Sequence, residues 1–488
     1  MTLTSALRTA TSALAANAKQ VSVLSRNISG LGDENYVRRN AAVSTGAYGT
    51  VRVDTQRYVN RSVYDASILA SANSVGANVV AAGLDRLVQL QGGNEFSYSP
   101  AHLLNDMMQA TELAANSPSD NALLTSLVEQ ARTTATSLNH LNDEVLSMRA
   151  TADRQINESV ASLNSLLGQL ETVNNQIVSG TAVGQDVFDS IDIRDQILVQ
   201  ISDEIGIKVI PRENNDIMVL ANNGLLLFEK VPRSVSFQST PFYGPTTTGG
   251  TLFIDGVPAS GSNASLAIDS GKISGNLFLR DNILVEQQRQ LDEVSRSLIE
   301  LYAENDQSVA GTKPQSAGLF TWSGGPGIPA SATLEPGIAM SIQINPLVDS
   351  QQGGDPSLIR DGGTNGDVDY VYNSGGGTGF SDRLFELSAA FSSLTTFDTQ
   401  AGLPANQSLL DYASSSLDWL NGTRQSALAT KNYSQELANR YKETLQNETG
   451  PNLDFEMSRL LEVERSFQAS AKLISAVDEM FAILLEAA

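Results

Sequence analysis

The two ends of the chain carry matched heptad seams, which limits its folds to those that bring a partner to each end. From the N-terminus Leu3, Leu7, Ala10, Leu14, Asn17, Val21, Leu24 and Ile28 alternate steps of four and three, with Asn17 the one polar member. At the other end Met457, Leu460, Phe467, Ala471, Ile474, Phe481 and Leu485 fall on a similar seam, broken by Glu464 and Asp478. Leu461, Leu473, Val477, Met480 and Leu484 lie beside that seam, so the last helix is apolar on more than one side. A helix of this kind is unstable alone in water and needs partners on two faces. Residues 1–40 carry a net charge of +3, counting Asp33 and Glu34 as the acids, and residues 453–488 carry −4. Opposite charge and matched heptads predict that the first and last helices pair in a coiled coil. Two unrelated surface helices are the alternative.

Between the ends the pattern is mostly helical. Ser117–Pro118–Ser119–Asp120 reads as an N-cap at Ser117 with proline in the first helical position. Leu124, Leu127, Ala131, Ala135, Leu138, Leu141, Val145, Met148, Ala152, Ile156, Leu163, Leu167, Leu170 and Ile177 then keep helical spacing until Gly180. An unbroken helix here is on the order of 85 Å long, and such rods serve assemblies more often than active sites. After Gly206 the pattern changes to strands at 207–209, 217–220 and 225–228 around Asn222–Asn223–Gly224, a strong hairpin signal. Helical periodicity returns from about Ile283 to Tyr302 and again from about Asp382 to the C-terminus. The glycine- and proline-rich stretch 309–380 reads as a small β or loop insertion.

The expected fold is mainly α with β insertions: long antiparallel helices, N- and C-terminal helices paired in a coiled coil, and β-rich central segments. Four domains are expected. Segments 1–48 and 449–488 form a terminal coiled-coil domain, and 49–205, 270–308 and 381–448 a long-helix domain. Residues 206–269 form a small β subdomain and 309–380 an outer insertion.

Composition removes several function classes. The 488 residues contain no cysteine, which excludes disulfides, thiolate nucleophiles and cysteine-ligated metals. Only His102 and His140 could serve a triad, and no nucleophile-elbow motif accompanies them. Both read as surface or helix-packing histidines, and an enzyme is not expected. A net charge of −23 with no visible basic face argues against nucleic acid. No run of 18 or more apolar residues is present, so no membrane span is expected. Without a cleavable signal peptide, these signs alone would place the chain in the cytoplasm.

Gly375–Gly379 lacks the lysine and hydroxyl of a phosphate loop and reads as a flexible linker. The alternating acids of Asp361–Asp369 read as a solvated turn, with a calcium loop as the alternative, although the spacing fits no standard calcium motif. No cofactor is expected.

Residues 27–39, Asn-Ile-Ser-Gly-Leu-Gly-Asp-Glu-Asn-Tyr-Val-Arg-Arg, resemble the signature that follows the first helix in axial flagellar proteins. Asn27, Tyr36 and Arg38 match that signature. Gly30 and Gly32 stand where asparagine is usual and Asn35 where glycine is usual, exchanges among residue types that tolerate positive φ. Two further segments, Asp192–Leu198 with Arg194 and Asp195, and Gly271–Asp281 with Arg280 and Asp281, are similar to segments of the hook-associated protein 1 family. The C-terminal run from Leu453 through Phe467 to Phe481 also fits.

The resemblance implies a structural subunit joining flagellar hook to filament, located outside the cell and exported uncleaved by the flagellar type III route. That reverses the cytoplasmic expectation. It also implies a ring of identical subunits, with hook protein, hook-associated protein 3 and an export chaperone as partners. Flagellin, the hook protein, hook-associated protein 3 and a secreted adhesin on a helical stalk are the alternatives. The expected assembly interface is Leu3, Leu7, Leu14, Val21, Leu24, Ile28, Met457, Leu460, Phe467, Ile474, Phe481 and Leu485.

Overall fold

A computed structural model describes residues 3–33, 35–46 and 50–486 of the chain. Glu34, one of the acids counted above, and residues 1–2, 47–48 and 487–488 of the expected terminal domain lie outside the described residues.

Helix α1 (Leu3–Ser29) leads into the hairpin β1 (Arg39–Thr45) and β2 (Val51–Arg57), then α2 (Arg61–Leu90), α3 (Pro100–Asn116), α4 (Asn121–Ala182) and α5 (Phe188–Glu204). Strands β3 (Ile207–Pro211), β4 (Ile217–Ala221) and β5 (Leu226–Phe228) form one antiparallel sheet, and β6 (Val235–Phe237), β7 (Leu252–Ile254) and β8 (Val257–Pro258) another. Helix α6 (Gly271–Phe278) runs through a π-helical turn at 279–283 into α7 (Leu284–Leu301). Short elements follow: β9 (Phe320–Thr321), α8 (Ile338–Ser341), β10 (Gln343–Ile344), α9 (Leu358–Asp361), α10 (Asp382–Ala390), β11 (Thr395–Thr396) and β12 (Asn406–Gln407). Helices α11 (Leu409–Thr449) and α12 (Leu453–Glu486) end the chain. The architecture is mainly α with small antiparallel sheets, as the periodicity predicts.

The chain divides into two compact units, one of Met1–Ser74, Ser162–Ser234 and Ser434–Ala488, the other of Val75–Ala161 and Val235–Tyr433. In the first, β3 and β4 alternate buried Ile207, Val209, Ile217, Val219 and Ala221 with more exposed residues, so one sheet face is buried and sets the register Val209↔Val219. The turn to β5 is the expected Asn-Gly hairpin, with Gly224 at φ 92°. In the second unit, α3, the first part of α4, α7 and α10 share one core. Tyr302 sits in it edge-on to Phe320 and Phe391 at 5.5 and 6.2 Å. Leu319, Ile338, Ile342, Val348 and Ile359 of the 309–380 stretch belong to the same core, so that stretch is packed despite its glycines.

Every apolar position read from Leu124 to Ile177 is buried. The start of α4 is a correction. Ser117 closes α3, and it is Asp120 whose carboxylate accepts from Ala122 N at 2.9 Å to open α4. Proline at 118 bars helix at Ser117, so the four polar residues form a break between two helices. The serine–proline start lies earlier: Ser99 Oγ accepts from His102 N at 3.3 Å, with Pro100 first in α3. Helix α2 is long and apolar enough to cross a membrane by length and composition. Its Ile68, Ala72, Ala81, Leu84 and Val88 are buried within the protein.

Candidate assembly interface

Helices α1 and α12 lie antiparallel in the first unit, tied by two polar contacts. Asn17 Nδ2 donates to Ser466 Oγ at 3.1 Å, and Asn27 Nδ2 donates to Glu456 Oε2 at 3.0 Å. The buried residues of the two helices are Ala10, Ala16, Asn17, Val23, Leu24 and Asn27 of α1, and Glu456, Val463, Ser470 and Val477 of α12. The α12 set recurs every seven residues, the step of a coiled-coil seam. Against the seam read from sequence, Leu24 is buried, while Leu3, Leu7, Leu14, Ile28, Leu460, Ile474 and Phe481 are half-buried. Val21, Met457, Phe467 and Leu485 are exposed. The buried stripe of α12 is thus rotated off the apolar one, and two of its four members, Glu456 and Ser470, are polar.

Among the described residues no ion pair joins α1 to α12, so the opposite net charges are not what ties helix to helix. Lys19 Nζ donates to Val53 O at 3.0 Å, and Arg26 pairs with Asp186 at 3.1 Å. Arg38 stacks its guanidinium over the rings of Tyr58 and Phe455 at 5.3 and 5.1 Å.

Asn27 organises the turn after α1. Its Oδ1 accepts from Tyr36 OH and from Arg39 N, both at 3.0 Å, while Nδ2 donates to Arg39 O at 2.9 Å as well as to Glu456. One amide therefore satisfies both backbone groups of Arg39, as a neighbouring strand would, and a carboxylate on the last helix. Positive φ is not the reason for glycine at 30 and 32, since both lie in a right-handed 3₁₀ turn. A Cβ on Gly30 would stand 2.6 Å from the Tyr36 ring, so glycine there admits the tyrosine.

Arg39, which lies just beyond the matched positions of the signature, is fully buried. Its Nη2 pairs with Asp189 and with Asp192 at 3.1 Å, and the guanidinium lies over the rings of Tyr36 and Phe188. Asp192 also holds Arg57 at 2.9 Å, and Asp195 holds Arg57 at 2.7 Å. Burial pushes the Asp192 carboxyl up from its ordinary value, against the pull of Arg57 and Arg39. Arg194 is buried on Asn174 and the carbonyl of Asn215. The structure thus brings Asn27, Tyr36 and Asp195 into one network with the β1–β2 hairpin.

Arg280 and Asp281 lie in the second unit and build a separate node on the π-turn. Arg280 Nη1 meets Asp153 at 2.6 Å and Nη2 meets Asp281 at 2.8 Å and Gly250 O at 2.9 Å. Burial works against the Asp153 carboxylate, yet hydrogen bonds from Ser239, Tyr243, Thr240 N and Arg280 hold its pKa below the usual range. A Cβ on Gly249 would stand 2.2 Å from the Arg280 guanidinium carbon. This is a structural staple.

The remaining candidates are ordinary. His102 is half-exposed, 3.6 Å from Asp106, and His140 is exposed on α4. In the acidic run, Asp367 and Asp369 clasp the Lys313 ammonium, and Asp361 holds Arg360 and Asn373. No group of three possible metal ligands occurs among the described residues.

Residues 94–317 match a family model described as the flagellar hook-associated protein FlgK helical domain. Residues 452–487 match one described as the flagellar basal body rod FlgEFG protein C-terminal. Flagellar hook-associated protein 1 of Bacillus subtilis (strain 168) is 19% identical over 513 residues, an alignment spanning 97% of this chain and 96% of that protein. The chain is similar to flagellar hook-associated proteins. A solved structure of the flagellar hook junction protein FlgK from Burkholderia pseudomallei is also similar, at 19% identity and a TM-score of 0.43. That similarity covers 54% of this chain and 47% of the other.

The Arg194 and Arg280 nodes fall in the helical-domain match, and α12 in the C-terminal match. The residues that sequence reasoning missed are Arg39, Asp192, Val463 and Glu456. The paired Arg38–Arg39 was the one available signal, since a second arginine beside a half-buried strand demands an acid elsewhere.

Proposed function

We propose that this chain is a structural, non-catalytic subunit of the bacterial flagellum that joins hook to filament as a ring of identical copies. The observation that carries this reading is the apolar surface that α12 leaves in water. Phe455, Leu461, Phe467, Leu473, Met480, Ile483, Leu484 and Leu485 all stand exposed there, with Leu485 at 79%. A helix that pairs through Val463 and Val477 yet leaves so many large apolar side chains in water is built to be covered by further protein. The twelve seam positions named from sequence supply part of that surface, Val21, Met457, Phe467 and Leu485 most directly.

Hook protein on one side and hook-associated protein 3 on the other are the neighbours this role requires, with an export chaperone before assembly. Export without cleavage through the flagellar type III channel fits a terminal helix pair whose buried stripe is thin, because such helices unfold readily for passage.

Deleting the gene tests the reading. Cells are expected to build hooks but to release filament protein into the medium, since the surface on which filament subunits dock is missing. Normal filaments on the deletion strain would refute it.

A further inference from the structure

The β1–β2 hairpin has two edges, and α1 caps only part of each. Gly46 N donates to Thr50 O at 2.7 Å and Tyr58 N to Arg38 O at 3.1 Å, so even-numbered residues of β1 turn their backbone groups toward β2. Odd-numbered residues turn theirs outward. Asn27 takes both outward groups of Arg39 at one end of the ribbon. On β2, at the other end, Ser12 Oγ accepts from Val51 N at 3.1 Å and Lys19 Nζ donates to Val53 O at 3.0 Å. Among the described residues the outward backbone groups of Ala41 and Val43 on β1, and of Thr55 on β2, meet no partner. Such an edge is a template for another strand.

A cleft of about 350 Å3 runs beside the open part of β1. Ala41 and Val43 line one side, Phe455, Arg459 and Val463 of α12 the other, with Leu24 of α1 between. We propose that this cleft receives the β2 edge of a second copy of the chain, so that hairpins join head to tail into one sheet. The proposal rests on the reading of the chain as an axial flagellar subunit.

Three observations favour a second copy. Ala41 lies opposite Thr55 within one ribbon, so copies set side by side bring the two open stretches to the same level. Strand direction agrees as well: β2 of an equally oriented neighbour runs antiparallel to β1, as β2 of the same copy does. Charge also matches, since the entering strand carries Asp54 and the cleft wall carries Arg459, each with its side chain 56% exposed. Their present partners, Arg52 and Glu462, form surface pairs that exchange at little cost. A head-to-tail contact of this kind closes into a ring or continues as a helix, and in a closed ring no edge is left open.

The absence of cysteine makes the test clean. Ala41→Cys and Thr55→Cys are placed in separate chains and produced together in a deletion strain, and isolated flagella are oxidised. The expected result is a covalent dimer that requires both variants and is lost when either is produced alone. Flagella that contain both chains but yield no dimer overturn the proposal while leaving the axial role intact. Flagella that lack the wild-type chain altogether overturn the axial role instead. Val43→Pro gives a second readout, because it removes only an outward N–H. The variant should melt as wild type yet be lost from flagella, and incorporation at the wild-type level would overturn the proposal. Should Val43→Pro fail to fold, the cysteine pair decides.

Discussion

Asn17 on the first helix and Ser466 on the last hold each other reciprocally: Asn17 Nδ2 donates to Ser466 Oγ at 3.1 Å, and Asn17 Oδ1 accepts from that hydroxyl at 3.3 Å. Asn27 and Glu456 make the second tie ten residues further along α1 and ten residues earlier on α12. Two such ties fix one antiparallel register, which the small buried side chains alone would leave loosely specified. A single polar residue on a coiled-coil seam specifies register at a cost in stability. Asn17→Leu is therefore expected to slow amide exchange across α1 and α12 while lowering incorporation into flagella. Faster exchange would show that the asparagine stabilises the pair and does not merely align it.

Phe467 and Val463 stand one helical turn apart and should respond oppositely. Phe467 is 42% exposed and Val463 6%. Phe467→Asp places a charge where water already reaches, so far-ultraviolet circular dichroism and the melting transition should barely change. The variant should nonetheless fail to restore motility to a deletion strain, because a buried unpaired charge in the assembled interface costs several kcal/mol. Val463→Asp should free α1 and α12 in the isolated protein, read as rapid proteolytic trimming of both ends. A Phe467→Asp protein trimmed as fast as Val463→Asp would place Phe467 inside the pair.

Much of this was legible because long-range order follows local pattern in helices. The fourteen apolar positions of α4 are all buried, and Asn223–Gly224 turns where a left-handed glycine permits it. The phase of α12 was not legible. Its buried positions include an acid and a serine, Glu456 and Ser470, and Glu456 is held there by Asn27, hundreds of residues away in the chain. Hydrophobic periodicity cannot see such positions. The same holds for Arg39, whose burial depends on Asp189 and Asp192 of α5. Gly30 shows a third kind of miss, in which a glycine is required by the ring that leans on it and not by its own backbone.

Two buried carboxylates give the second unit a pH dependence opposite to ordinary acid denaturation. Asp292 of α7 accepts from Gly337 N and Ala339 N, both at 3.0 Å, and Glu304, just beyond α7, accepts from Thr364 N at 3.0 Å. Burial pushes each carboxyl up to about 7, from ordinary values of 3.8 and 4.5. Glu293 and Glu335 push Asp292 further up, while Arg383 pulls Glu304 down. Between the ordinary values and about 7 the unfolded chain has released protons that the folded chain still holds. Stability therefore falls as pH rises through that window and levels off above it, by on the order of 1.4 kcal/mol for every tenfold loss of acidity that burial imposes on a carboxyl. Asp306 and Asp349, held down to about 2, titrate below the window and do not mask it. The melting temperature is expected to be higher at about pH 5 than at about pH 8. In the double variant Asp292→Asn, Glu304→Gln neither side chain ionises, so the decline should flatten. A wild-type melting temperature that climbs steadily from pH 5 to 8, or a double variant with an unchanged slope, would remove these two residues as the cause.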